Sequence, residues 1–408
     1  MRLHKLGLIG LLLTLALACS KLMPEAPTSN EVLDGPIKGL SPAQLRKHII
    51  GDEEFAHTFS ELDGLGPIFV QNSCESCHIG DGKGNPFNNL TRFGKYNPDS
   101  TWNSMIQQGG PQLQHRAISG HQAEKVPTGA ESAQFIGPTV SGLGYLAAVE
   151  DASILAMADP TDINGDGISG IVNEIDAPDW LIIDERYHQA LPNGKYIGRF
   201  GRKAAAINLL MQTVGAFKQD MGITSDFDTE DPINYATSTF GGDGTPNPEV
   251  SGTTVGNVVF YLQTLKAPER REENKPEVKE GKAIFNNIGC NNCHTPTLST
   301  GPSEIEALNR VSFAAYTDML LHDMGPELDD NYTEGIVGTR EWRTMPLWGL
   351  GLQKDSQGAS MFLLHDGRAG SYQAAIDLHG GEAANSRTQF QSLSSGDKDK
   401  VIAFLNSL

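Results

Sequence analysis

Cys74-Glu75-Ser76-Cys77-His78 and Cys290-Asn291-Asn292-Cys293-His294 are two copies of one pattern, C-x-x-C-H. That spacing suits covalent attachment of a c-type haem. Two thiols one turn apart add to the two vinyl groups on one haem edge. The adjoining His then lies under the ring as an iron ligand. Cys74, Cys77, Cys290 and Cys293 are therefore expected to carry two haems c, with His78 and His294 as proximal ligands. A redox C-x-x-C pair would not need the His, and a zinc cluster would need further cysteines. Only Cys19 remains of the five cysteines, so no disulfide framework is expected.

Other features repeat around the two motifs, which points to an internal duplication. Gly64–Phe69 precedes the first motif. Lys279–Phe285 precedes the second and reads as a helix that packs on haem. Pro138–Gly144 follows the first motif and Pro346–Gly351 the second. Gly201-Arg202-Lys203-Ala204 opens an apolar helix to about Phe217, and His365-Asp366-Gly367-Arg368-Ala369 opens one to about Leu378. Strand-like alternation is scarce. The expected fold is mostly α, with two cytochrome c-like haem domains and long loops. They span residues 41–268 and 269–408, with the boundary in the charged stretch Glu269–Pro276. The first half carries an insertion over residues 147–198.

Within that insertion lies Asp162-Ile163-Asn164-Gly165-Asp166-Gly167-Ile168-Ser169-Gly170. Oxygen ligands at alternate positions, with Gly at the sixth, match the start of a calcium loop. Asp162, Asn164, Asp166 and the Ile168 carbonyl are the candidate Ca2+ ligands. The twelfth position is Asn173 and Glu174 follows it, so the usual bidentate Glu is out of register. The alternative is an Asp/Gly-rich turn.

The chain has 408 residues, with 31 Lys and Arg against 50 Asp and Glu, a net charge of −19. With no basic patch to displace counterions from phosphates, nucleic acid is not an expected partner. A small electron-donor protein of basic character would suit the acidic surface. Residues 1–18 have a charged start and a short apolar run, the pattern of an export signal. Ala16-Leu17-Ala18-Cys19 reads as an ordinary A-x-A cleavage site or as an approximate lipobox with Cys19 lipidated. Cleavage removes Arg2 and Lys5 and takes the charge from −19 to −21. Residues 19–40 read as a flexible tether. The mature chain is expected in the periplasm or as an outer-membrane lipoprotein, touching the membrane through a lipid at Cys19 alone.

Over roughly residues 40–408 the ordered motifs resemble the bacterial dihaem cytochrome c peroxidase superfamily, and more closely its dihaem oxidoreductase branch, also called thiol oxidoreductases. The distinctive pieces are Gly64–Phe69, Pro138–Leu146, Gly198–Ala204 and Asp220–Thr224. In the second half they are Leu320–Leu328, Arg343–Gly351 and Leu364–Ala369 with His379-Gly380-Gly381-Glu382. The resemblance implies peroxide reduction at the N-terminal haem, with electrons arriving through the C-terminal one. It implies His379 as the second ligand of the C-terminal iron, where relatives usually carry Met. Met345, in a Met-Pro pair like that of small cytochromes, is the alternative, and His322 a second choice. It aligns Gln212 with a glutamine of the active pocket and Asp220 near the catalytic acid. His115 or His121 could cover the first iron in a resting state. Arg199, Arg202, Arg343 and Arg368 could meet haem propionates, as could His365. Trp348 could lie between the haems. Other readings are an electron-transfer cytochrome without catalysis, a haem oxidase of another substrate, and an accessory lipoprotein in metal uptake. No redox-active Cys pair remains after haem attachment to support a thiol reaction.

Overall fold

The computed structural model describes Leu33 and residues 35–237, 242–356 and 360–408. The export signal and Cys19 lie outside the described residues, as does most of the tether. No described helix is long and apolar enough to cross a membrane.

Two helix pairs frame the molecule. Pro42–Ala56 packs on Gly252–Thr264, and Pro276–Asn287 packs on Ser395–Ser407. Local chemistry starts each helix. Ser41 and Gln44 form a reciprocal capping box with Pro42 in the first turn. The Ser251 hydroxyl accepts from Thr254 N, and that of Ser394 from Asp397 N. Pro276 sits at the start of its helix, where its missing N–H costs nothing.

The two pairs repeat one arrangement. Gly51 and Gly281 stand at the crossings, where a Cβ would overlap the carbonyl of Asn257 or of Lys400. Four residues later come Phe55 and Phe285, whose rings lie 6.1 Å from His78 and 6.2 Å from His294. Each Phe also packs on the partner helix, Phe55 on Tyr261 at 5.4 Å and Phe285 on Phe404 at 5.2 Å. The counterpart of Lys279–Phe285 is therefore Gly51–Phe55, not Gly64–Phe69. Gly64 and Gly66 have φ of +90° and +104°, outside the helical range. Residues 64–69 accordingly form a turn leading to the two-residue strand Ile68–Phe69.

Outside these pairs the expectation of a mostly α protein does not hold. Helix accounts for 33% of the structure. The rest is short 3-10 turns, two-stranded ladders and one three-stranded sheet in which Leu90–Tyr96 pairs with Trp102–Asn103 and Glu131–Phe135. The abundant Gly and Pro interrupt helices before a third turn. The insertion closes on itself through the antiparallel ladder of Glu174–Ile175 with Tyr196–Ile197. Phe55, Phe217, Tyr261 and Leu262 lie in one hydrophobic core, which also takes in Met319, Leu320 and Trp348 from the second half. Phe285, Tyr372, Phe404 and Leu405 lie in another. A smaller cluster brings Phe135 of the first half against Tyr332 and Trp342 of the second.

Candidate haem sites

At the first motif, the amides of Cys77 and His78 both donate to the Cys74 carbonyl, at 3.1 and 3.0 Å. This tight turn brings both thiols and the imidazole together. Gly137 runs so close to the His78 ring that a Cβ there would lie 2.9 Å from Cε1. Burial pushes His78 down to about 4, so the ring is a neutral imidazole able to bind metal. Burial, reinforced by the nearby Asp220 charge, pushes both Cys74 and Cys77 thiols up to about 12.

The second motif repeats the turn, with His294 N donating to the Cys290 carbonyl at 3.0 Å. His294 Nδ1 donates to the Tyr316 carbonyl at 3.1 Å. That bond fixes the tautomer and leaves Nε2 for a metal. His379 is held the same way, with Nδ1 donating to the Ala375 carbonyl at 2.7 Å. Both rings line one largely apolar cavity together with Cys290 and Cys293. Burial and then the proximity of His379 push His294 down to about 4. Met345 lines this cavity as well, but its Sδ already accepts from Arg343 Nη2 at 3.1 Å.

The cavity wall also carries Lys83, Arg202 and Arg343. Arg202 donates to the Ile136 carbonyl and Arg343 to the Gly201 carbonyl. Among the described residues, no ion pair engages either guanidinium, and Arg343 Nη1 is buried without a hydrogen-bond partner. Burial, and for Arg202 the neighbouring Arg343, pulls them down to about 9 and about 10. An apolar slot with two thiols, two metal-ready histidines and unneutralised arginines fits a haem with its propionates.

A family model for di-haem oxidoreductases matches residues 122–408. The chain belongs to the di-haem oxidoreductase family. Two haem cofactors follow from that membership. No curated protein matches the sequence significantly. Among solved structures, it is similar to a hydrazine synthase of Kuenenia stuttgartiensis, at 13% identity over 95% of each chain with a TM-score of 0.38. It is also similar to a MauG-like protein associated with microbial copper homeostasis, at 13% identity over 95% of this chain and 94% of that one, with a TM-score of 0.40.

In this di-haem oxidoreductase, Asp220 sits on a π-helical turn, Phe217–Met221, of the kind that recurs at functional sites. Its backbone carbonyl accepts from Val70 N and Gln71 N, which pins it beside the first C-x-x-C-H motif. Its side chain accepts a short hydrogen bond from Gln112 Nε2. Burial raises the Asp220 carboxyl above its ordinary range, against the pull of Gln112 and Arg92. Sequence reasoning missed Gln112, which lies in a loop and carries no motif. Gln212 lies eight residues earlier, on the helix Leu209–Ala216, with its side-chain oxygen beside Gly201.

Several second-choice residues have other employment. Arg199 is fully buried, donates to the carbonyls of Leu146, Ala147 and Val149, and pairs with Asp151. It ties the insertion to the first core and does not line the cavity at the second motif. His322 has both ring nitrogens in use, Nε2 to Asp318 at 2.8 Å and Nδ1 to Glu382 at 2.7 Å, which removes it as an iron ligand. His365 Nε2 is bonded to Asp330 at 2.5 Å, and Arg368 pairs with Asp330 and Asp366. Trp348 lines the second cavity and donates to the Ser141 carbonyl at 3.1 Å, joining the two halves. His115 is exposed.

In the loop from Asp162, the side-chain oxygens already serve the backbone. Asp162 accepts from Gly167 N, Asn164 from Asp166 N, and Asp166 from Ile168 N. Among the described residues, its carboxylates do not converge with a third acidic ligand. Ile168 lines the second haem cavity, and Ser169 Oγ donates to Glu382 at 2.5 Å.

Proposed function

We propose that this di-haem oxidoreductase reduces hydrogen peroxide beside His78, with electrons arriving through the haem at His294. The carrying observation is the contrast between the two surroundings. His294 and His379 share one cavity, and if both held the iron of a haem there they would leave it no open site for substrate. Beside the first motif stands a buried carboxyl, and the helix Leu209–Ala216 offers no histidine.

Haem bound at the two motifs supplies iron that carries electrons and, where a face is open, a site for peroxide. The chain's own groups do the rest. Cys74, Cys77, Cys290 and Cys293 would tether the haems, His78 and His294 would hold iron, and Arg202 and Arg343 would receive propionates. Asp220, oriented by Gln112, moves a proton from the near oxygen of peroxide to the leaving one. Peroxide, two electrons and two protons yield two waters.

A ferric spectrum tests the reading. One low-spin and one high-spin haem are expected, with only the high-spin signal responding to peroxide. Two low-spin haems that ignore peroxide in every redox state would sink it and leave an electron-transfer cytochrome. His379→Ala should convert the second haem to high spin, whereas Met345→Ala should leave it unchanged.

The proposal extends to the chain's surroundings. An exported protein lipidated at Cys19 should incorporate a labelled fatty acid, and Cys19→Ala should not. A Ca2+ ion held by Asp162, Asn164, Asp166 and the Ile168 carbonyl would brace the wall of the second cavity. Chelation should then lower the melting temperature or shift the spectrum of that haem, and no change would leave the segment a plain turn.

A further inference from the structure

A continuous line of aromatic rings runs from the surface of the three-stranded sheet to the second haem cavity. Tyr96 is 47% exposed. Its ring lies 5.0 Å from Trp102, which lies 5.4 Å from Tyr332. Phe135 bridges Tyr332 at 5.7 Å and Trp342 at 5.5 Å. Trp342 stacks on His365 at 3.6 Å, and both line the cavity that holds Cys290, Cys293 and His294. No ring-to-ring step exceeds 5.7 Å.

Packing alone would explain a cluster of rings. It does not explain the polar fittings. Tyr332 is completely buried, yet its hydroxyl donates to Glu334 Oε1 at 2.9 Å. Arg92 Nη1 stands 3.4 Å from the same carboxylate oxygen. A buried phenol that loses an electron becomes a strong acid and must shed its proton at once. Glu334 is the acceptor already in place. Trp342 is treated in the opposite way. The Lys203 amine sits 3.8 Å above its ring, anchored by the carbonyls of Gly338, Thr339 and Glu341. Burial pulls this amine down to about 7, and its cationic form disfavours a positive charge on the indole, which favours Tyr332 over Trp342 as the site of oxidation.

We propose that Tyr332, with Glu334 as its proton acceptor, is a redox-active relay between the second haem and a one-electron donor at Tyr96. The relay rests on the peroxide reading, because a phenol yields an electron only to a strong oxidant. After peroxide has withdrawn electrons from the haem pair, one electron leaves Tyr332 toward the cavity by way of Trp342. The phenolic proton moves to Glu334 Oε1. An electron from a hydroquinone or aromatic amine at Tyr96 then returns through Trp102, and the proton goes back to the phenol oxygen. Two passes balance one peroxide.

The route is tested without peroxide by tethering a ruthenium polypyridyl photo-oxidant to Ser100→Cys in the holoprotein, with the haems reduced. Flash-quench oxidation of the ruthenium should oxidise the second haem at least tenfold faster in the parent than in Tyr332→Phe, and Glu334→Gln should slow it as well. Equal rates would overturn the relay. Matching haem spectra and melting temperatures show that the variants fold. With peroxide, freeze-quenched samples should give a tyrosyl radical signal by electron paramagnetic resonance that disappears in Tyr332→Phe. If peroxide changes neither haem, the peroxide reading falls while the flash experiment still judges the route. If peroxide reacts and the radical persists unchanged in Tyr332→Phe, the relay falls alone.

Discussion

His322 shows how much one residue can be asked to hold. Its ring is buried between Asp318 and Glu382, beside Cys293. Burial alone would lower it, but the hydrogen bonds its ring makes to Asp318, Cys293 and Glu382 raise it to about 12. The folded value exceeds the ordinary one of about 6.5. The stabilisation is therefore complete below that ordinary value and is lost progressively as pH rises toward about 12. His322→Gln leaves two buried carboxylates short of a counter-charge and should cost about 3–5 kcal/mol. Chemical denaturation at pH 6 should show that cost in full, and the same comparison at pH 10 a smaller one. Asp220 makes a different claim. Asp220→Asn keeps the size and loses the proton, so peroxide turnover should fall about 10²–10⁴-fold with the haem spectra unchanged. A variant that turns over normally would remove Asp220 from the reaction. Both residues were visible in the sequence, Asp220 through family resemblance and His322 only as a discarded ligand. Their partners Gln112 and Glu382 come from segments far away along the chain, joined to them by folding alone.

The helix pairs are the elements that bear on the two C-x-x-C-H motifs. Gly281 and Gly51 allow two helices to touch backbone to backbone, which sets Phe285 and Phe55 against His294 and His78. Gly281→Ala forces a methyl into the Lys400 carbonyl, and strain of about 1–3 kcal/mol is expected. Gly51→Ala should behave alike against Asn257. Gly256 is the control, since it lies within the helix Gly252–Thr264 with nothing near its would-be Cβ. Gly256→Ala should instead stabilise by about 0.5–1 kcal/mol. Thermal melts of the three holoproteins check the set, and a uniform response would refute the crossing argument. The pattern Gly-x-x-x-Phe ahead of each C-x-x-C-H was legible in the sequence. It was missed because Gly64–Phe69 lies closer to the first motif and also ends in Phe. Distance along the chain proved a poor guide, since a turn separates the first helix from its haem site.

At the scale of the whole molecule, the second haem cavity is built from both halves. The Arg343 amide donates to the Arg202 carbonyl, the Arg202 guanidinium to the Ile136 carbonyl, and Ile136 N to the His365 carbonyl. This belt ties the N-terminal half to the wall of the C-terminal site. The chain as a whole is strongly acidic, with a net charge of −19. If a small basic donor supplies the electrons, its second-order rate should fall steeply as salt shortens the screening length, to about 8 Å at 0.15 M. A salt-independent rate would point to a neutral donor. The sequence by itself determined that each half carries two thiols and a histidine at the spacing c-type haem attachment requires, because that spacing is local to one short segment. It also determined the helices that bear on the motifs, whose caps and crossing glycines are local too. Only the tertiary structure decided which histidines face one cavity, which arginines lack an acid, and that Tyr332 meets Glu334 beneath a line of rings. Those are contacts between residues remote in sequence, fixed by the packing of two cores against each other and written in no single segment.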